Sequence, residues 1–296
     1  MQSIGKVLVV LDKPGAHQAA LERARNVAGP AGAHLHLVSF CWLAMAEYQE
    51  VFDTHQRSAL KQGAVNERER WLRGMVLDAG LAAADVTTEV VWTKDIAAWI
   101  AERVDAGHAD LVVKSTRHET GKLLRTPLDW RLLRSCHAPL LLVGAETPPR
   151  SGNVLATIDL RHVDEPHQRM NDRVLAASQT FAHWLGGQLH CAHVIEGTTL
   201  PPGAEILGDG ELLAQAQKGL GELLDRTIAS YDLPRTAVHM PVAGLTDAVN
   251  ELVERERIGL VVVGTSARRG LGGLLLGNSA ERLLSRVDCD LLAMHP

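Results

Sequence analysis

The sequence predicts an α/β fold used twice: two tandem, doubly wound domains, each built on a five-stranded parallel sheet. Three observations carry this. The chain has 296 residues, close to twice a common domain size of about 150 residues. Its apolar runs, such as Val7-Leu8-Val9-Val10-Leu11 and Leu260-Val261-Val262-Val263, are continuous rather than alternating. That pattern marks strands covered on both faces, as in a parallel sheet. Finally, the halves align with each other at an offset of 147 to 154 residues, the signature of a duplicated unit.

Each element follows from this pattern. Half one, 1–146, reads as strands near 6–12, 34–40, 86–92, 109–114 and 139–143, with helices near 15–29, 55–79, 95–106 and 127–136. Half two, 152–296, reads as strands near 153–159, 188–195, 235–241, 259–263 and 290–294, with helices near 165–185, 209–231, 245–257 and 278–287. Between them Glu146-Thr147-Pro148-Pro149-Arg150-Ser151-Gly152 reads as a linker. Alternating strands and helices imply right-handed crossovers, with ligands at the carboxyl ends of the strands near the switch point. The residues to watch are therefore Asp12, Asp159 and those just after 113 and 263. In each half the last strand, Leu140–Val143 or Leu291–Met294, is a candidate for pairing with its counterpart as an intrachain pseudo-dimer; a homodimer is a further option.

Composition narrows the function. No stretch approaches the roughly 18 apolar residues of a membrane span, and the N-terminal apolar run is too short for a signal peptide. Four dispersed cysteines suit reduced thiols and a cytoplasmic location. The net charge is −5, and with the chain split after residue 146 all of it lies in the second part, where 13 basic face 18 acidic residues against 17 and 17 in the first. Neither half has the basic excess of a nucleic-acid binder.

The sharpest local feature is Gly264-Thr265-Ser266-Ala267-Arg268-Arg269-Gly270-Leu271-Gly272-Gly273-Leu274-Leu275-Leu276-Gly277-Asn278-Ser279. It lies between a strand end and an expected helix N-terminus. Glycines let backbone N–H groups approach a phosphate, and the helix dipole favours the anion. The same segment also reads as a turn with Asn278 as N-cap. It is neither a Walker A nor a G-x-G-x-x-G loop. In half one the matching place holds Lys114, Arg117, His118, Lys122 and Arg125. This basic cluster reads as a solvated loop in preference to a side-chain anion site.

On these residues the chain resembles the universal stress protein family, in its tandem two-domain form. ATP-binding members carry Gly-x2-Gly-x9-Gly-Ser/Thr after the fourth strand, and this chain has Gly264-x2-Ala267-x9-Gly277-Asn278 with the spacing intact. The resemblance implies adenine nucleotide alpha hydrolase-like, Rossmann-like domains. It implies ATP, with Mg²⁺, in half two, held by Asp159, Val194 (backbone), Gly264, Ala267, Gly277, Asn278 and Ser279. Ala267 replaces a glycine and puts a methyl where the backbone would meet a phosphate. Asn278 replaces a hydroxyl residue but still offers an amide. The site is expected to be altered rather than lost, and half one to be degenerate. Without the resemblance, Asp12 and Asp159 read equally as polar caps on buried strands.

Fourteen histidines invite a metal reading, but His190 and His193 fall on opposite strand faces, and His34 and His36 have no third ligand in the sequence nearby. His193 is expected to be a buried, hydrogen-bonded histidine. There is no Gly-x-Ser-x-Gly elbow. Glu67-Arg68-Glu69-Arg70 and Glu254-Arg255-Glu256-Arg257 read as exposed helix faces. Five of the six tryptophans lie in half one, which points to an apolar cavity there. The reading is thus a cytoplasmic stress-response protein that binds an adenine nucleotide and has at most slow ATP hydrolysis. The alternative is a scaffold of the same fold holding an apolar or other small ligand.

Overall fold

The structure is a computed structural model. It describes residues 4–11, 14–15, 17–119, 122–124, 127–144, 151–162, 164–196, 209–231, 233–265, 268–270, 273–275, 282–283, 286–287 and 289–296, with the backbone alone over 117–119, 122–124, 209–217, 268–270 and 273–275. The chain divides into two compact units, Gln2–Thr147 and Pro148–Pro296.

In the first unit the order is β1 (Lys6–Leu11), α1 (Ala19–Ala31), β2 (His34–Cys41), α2 (Thr54–Asp78), β3 (Val86–Trp92), α3 (Ile96–Asp105), β4 (Leu111–Glu119), β5 (Lys122–Leu124), α4 (Pro127–Ser135) and β6 (Leu140–Gly144). The strands lie side by side as β3-β2-β1-β4-β6, all parallel. Helices cover the sheet, so Val7, Leu37, Val112 and Leu140 are fully buried. Each such side chain contributes about 1.5–3 kcal/mol relative to exposure. Capping fixes the helix ends. Asp53 and Gln56 form a reciprocal capping box before α2. Gly32 closes α1 in the left-handed conformation, φ 63°, which a side chain would resist.

The second unit runs β7 (Val154–Thr157), α5 (Glu165–Leu185), β8 (Leu189–Ala192), α6 (Asp209–Ile228), β9 (Val238–His239), α7 (Leu245–Arg255), β10 (Leu260–Gly264), β11 (Arg268–Gly270), β12 (Gly273–Leu275) and β13 (Asp290–Met294). Its parallel order, β13-β10-β7-β8-β9, repeats the winding of the first. Strand β9 is shorter than the expected 235–241. Pro241 has no N–H for the ladder, and pairing resumes only as the bridge Ile195–Val242. The expected helix 278–287 falls mostly outside the described residues.

Strand register corrects the alignment of the halves. Val7 faces Leu111 and Val154 faces Leu260, so Leu111 is the counterpart of Leu260. Ser115 then matches Gly264, and Thr116 matches Thr265. The two threonines make the same bond: Thr116 Oγ1 donates to the Val143 carbonyl (3.1 Å) and Thr265 Oγ1 to the Met294 carbonyl (3.0 Å). Beyond them each unit has an antiparallel hairpin of one register, Arg117 facing Leu124 and Arg268 facing Leu275. Three expectations change. Lys114 stands at the place of Val263, not of a glycine. The first unit has not lost the whole loop; it lacks two residues, Ser266 and Ala267, which separate strand from hairpin in the second. The glycine-rich segment is also not all loop, since Arg268 and Arg269 lie on β11.

Candidate functional site

The second unit's parallel sheet changes direction of winding between β7 and β10, and the residues just past these strands form its ligand-competent end. Beyond β7, a side chain of α5 fixes the Asp159 peptide at both ends. Asn171 Oδ1 accepts the Asp159 N–H (3.0 Å), and its Nδ2 donates to the Asp159 carbonyl (2.8 Å). The Asp159 carboxylate accepts from Arg161 three times: from its backbone N–H (2.9 Å), Nε (2.9 Å) and Nη2 (2.6 Å). Burial pushes this carboxyl up, but the bonds from Arg161 outweigh it and hold the pKa below the ordinary value.

Next to it, past β8, His193 is buried. Its Nδ1 lies 3.2 Å from the Ile158 carbonyl and 3.4 Å from the Leu160 nitrogen. One tautomer donates to the first; the other accepts from the second. Burial lowers its pKa against the opposing pull of the Ile158 carbonyl and Asp159; the ring is buried and hydrogen-bonded, as expected. Val194 is buried beside it.

Glu196 completes this end. It accepts from Arg282 (2.7 Å) and lies 3.7 Å from Arg161 Nη1. The Arg282 hydrogen bond is the main reason its pKa is lowered, helped by the Leu245 N–H at the start of α7. The result is a continuous chain of charge, Asp159–Arg161–Glu196–Arg282. It links the ends of β7 and β8 to residue 282, which follows the glycine-rich segment.

Gly264 ends β10. A Cβ there would lie 2.5 Å from Met170 Cγ and 2.8 Å from Met170 Sδ, so the flexible Met170 side chain of α5 would have to shift for any larger residue, whether or not a ligand binds. Thus Asp159, Val194 and Gly264 stand at one end of one sheet. Asp12, Ala267, Gly277, Asn278 and Ser279 lie outside the described residues. Sequence reading missed Arg161, Asn171, Glu196 and Arg282. Arg161 was signalled by its position two residues after Asp159; the others meet the site only through folding.

In the first unit, Lys114 is buried and pairs with the fully buried Asp129 in the first turn of α4 (2.9 Å), while donating to the Ser115 carbonyl (2.7 Å). This corrects the solvated-loop reading for Lys114; the side chains of Arg117, His118, Lys122 and Arg125 are outside the described set. Ser115 Oγ accepts the Ala20 N–H of α1 (3.3 Å). Arg68 is also not a plain solvated residue: it donates to Ser39 Oγ (3.1 Å) and lies over Trp71. His36 meets Glu89 at 3.1 Å. Among the described residues no group of three or more His, Cys, Asp or Glu could hold a metal ion, and all four cysteines are free thiols. An open groove of about 600 Å³ is lined mainly by apolar groups, among them Leu43, Phe52, Leu60 and Ala64.

The comparisons with known proteins agree with this architecture. The sequence profile of the universal stress protein family matches residues 3–144 and 158–295. The chain is 27% identical to universal stress protein E of Salmonella typhi, over 98% of this chain and 94% of that one. A crystal structure of a functionally unknown protein from Pseudomonas aeruginosa PAO1 superposes with a TM-score of 0.71 at 24% identity, over all of this chain and 94% of that one. A universal stress protein from Archaeoglobus fulgidus gives 0.66 at 14% identity, over all of this chain and 99% of that one. At these identities the structures bear on the fold alone.

Proposed function

The chain belongs to the universal stress protein family, and from that premise we propose that it is a cytoplasmic stress-response protein whose second unit binds an adenine nucleotide, ATP with Mg²⁺. The observation that supports this is the gathering of Asp159, Val194 and Gly264 at the carboxyl ends of adjacent parallel strands. Asp159 and the Val194 backbone would meet adenine and ribose. Gly264, Ala267, Gly277, Asn278 and Ser279 would meet ribose and phosphates, with Mg²⁺ carried on the phosphates. ATP supplies a polyphosphate anion to the N–H-rich segment; the protein's part is to bind and orient it. Hydrolysis is at most slow, because Asp159 is assigned to adenine and ribose and the segment Gly264–Ser279 assigned to ribose and phosphates contains no carboxylate to act as a base. Among the described residues no helix is long and apolar enough to cross a membrane.

Calorimetric titration with ATP tests the site. The wild-type chain binds and the Gly277→Asp variant, which sets a carboxylate against the phosphates, does not; equal binding by both would remove the assignment. A second reading, a scaffold holding an apolar ligand, is favoured by the groove in the first unit. Native mass spectrometry of freshly purified protein separates the two by the mass that co-purifies.

A further inference from the structure

The nucleotide reading leaves one feature unexplained. Asp159, the side chain assigned to adenine and ribose, has both carboxylate oxygens occupied by Arg161. Arg161 also faces Glu196, and Glu196 holds Arg282. Both arginines are thus neutralised by the protein's own carboxylates, at the end of the sheet where a nucleotide would enter.

We propose that the chain Asp159–Arg161–Glu196–Arg282 is an electrostatic latch over this site, released by the phosphates of a nucleotide and not by a nucleoside. This rests on the nucleotide reading and deepens it, since it selects the phosphorylated ligand. Four observations carry it. The members come from three separate parts of the unit: the ends of β7 and β8, and residue 282. All are about a third to a half exposed, with side-chain exposures of 33% for Asp159, 51% for Arg161, 34% for Glu196 and 47% for Arg282. Exposed ion pairs are weak and exchange partners readily. Arginine prefers a phosphate as a bidentate partner at least as well as a carboxylate. Finally, the Leu245 N–H at the start of α7 favours the charged form of Glu196, so the carboxylate keeps a favourable neighbour after Arg282 leaves it.

The sequence of events follows. An incoming polyphosphate attracts Arg161 and Arg282. Arg161 leaves Asp159, whose carboxylate becomes free to accept from the ribose or the base. A ligand without phosphates has nothing to offer the arginines, so the carboxylate stays closed to it.

The test is calorimetry of the full chain with ATP and with adenosine, on wild type, Arg161→Ala and Glu196→Gln. Both substitutions lie on the surface, and unchanged circular dichroism establishes that the fold is kept. Wild type binds ATP and discriminates against adenosine. Arg161→Ala opens Asp159 without phosphate, so adenosine binding strengthens about tenfold, the scale of one charged hydrogen bond, and the preference for ATP shrinks. Glu196→Gln weakens the hold on Arg282 and on Arg161, so ATP binds severalfold more tightly and its affinity becomes steeper in salt. Nucleotide binding that neither variant alters would overturn the latch and leave the site standing. Failure of wild type and both variants to bind either ligand would overturn the site, and the latch with it.

Discussion

The two units differ most where strand meets loop at the site end of the sheet. In the first, β4 runs unbroken from Leu111 to Glu119, and a buried ion pair, Lys114–Asp129, ties it to α4. In the second, β10 stops at Gly264, and by register the place of Lys114 is taken by Val263 and the sequence place of Asp129 by Ala280. One unit therefore holds an internal cation and anion where the sequence of the other has a valine and an alanine. The same sheet, wound the same way, carries a buried ion pair in one copy and apolar residue types at the matching places in the other.

The largest test breaks the buried ion pair. Lys114→Met removes the lysine that meets the buried Asp129 carboxylate at 2.9 Å and costs about 3–5 kcal/mol. Giving the first unit the second unit's pair, Lys114→Val with Asp129→Ala, recovers most of that loss or exceeds wild type. Urea unfolding followed by tryptophan fluorescence reports this directly, because five of the six tryptophans lie in the first unit.

A smaller effect contrasts α5 with α1. Asn171→Ala strips both hydrogen bonds from the Asp159 peptide and costs about 2 kcal/mol. The matching position in the first unit is His17, just before α1, which is exposed and meets Glu22 at 2.8 Å, and His17→Ala stays within about 0.5 kcal/mol. Circular dichroism in urea separates the two. Smaller again, Gly264→Ser, which copies Ser115 into the second unit, crowds Met170 and costs about 1 kcal/mol, relieved by adding Met170→Ala.

Acid provides a comparison without mutation. In the second unit His190 and His239 stack, with Nδ1 of one 3.2 Å from Nε2 of the other, and Arg255 lies 3.4 Å from His239 Nδ1. Burial, the leading cause, lowers both pKa values despite nearby Glu256. A folded pKa below the unfolded value means that the unfolded chain binds more protons. This contribution to stability is present above the unfolded pKa of about 6.5 and is lost as pH falls through the folded values. His239→Leu should flatten that loss in thermal melts taken between neutral and mildly acidic pH.

These differences were legible to different degrees. Continuous apolar runs announced parallel strands, because burial on both faces leaves no polar alternation, and the element order in both halves follows. Asp159 and Gly264 were legible as a strand-end carboxylate and a glycine before a loop. The one-residue error at Lys114 arose because apolar runs resemble each other after a shift; only the ladder, Val7 against Leu111 and Val154 against Leu260, fixes the phase. Lys114 then looked like a solvated loop residue because its partner Asp129 is far enough along the chain to be unconnected by any local spacing. Arg282 and Glu196 escaped for the same reason.

The sequence by itself determined that this protein is one fold made twice, with unequal loops, because periodicity and repetition are local properties of the chain. Only the tertiary structure decided which charges meet. Ion pairing depends on distances between segments that the fold brings together, so it alone sets Lys114 against Asp129 in one unit and closes Asp159, Arg161, Glu196 and Arg282 into a chain in the other.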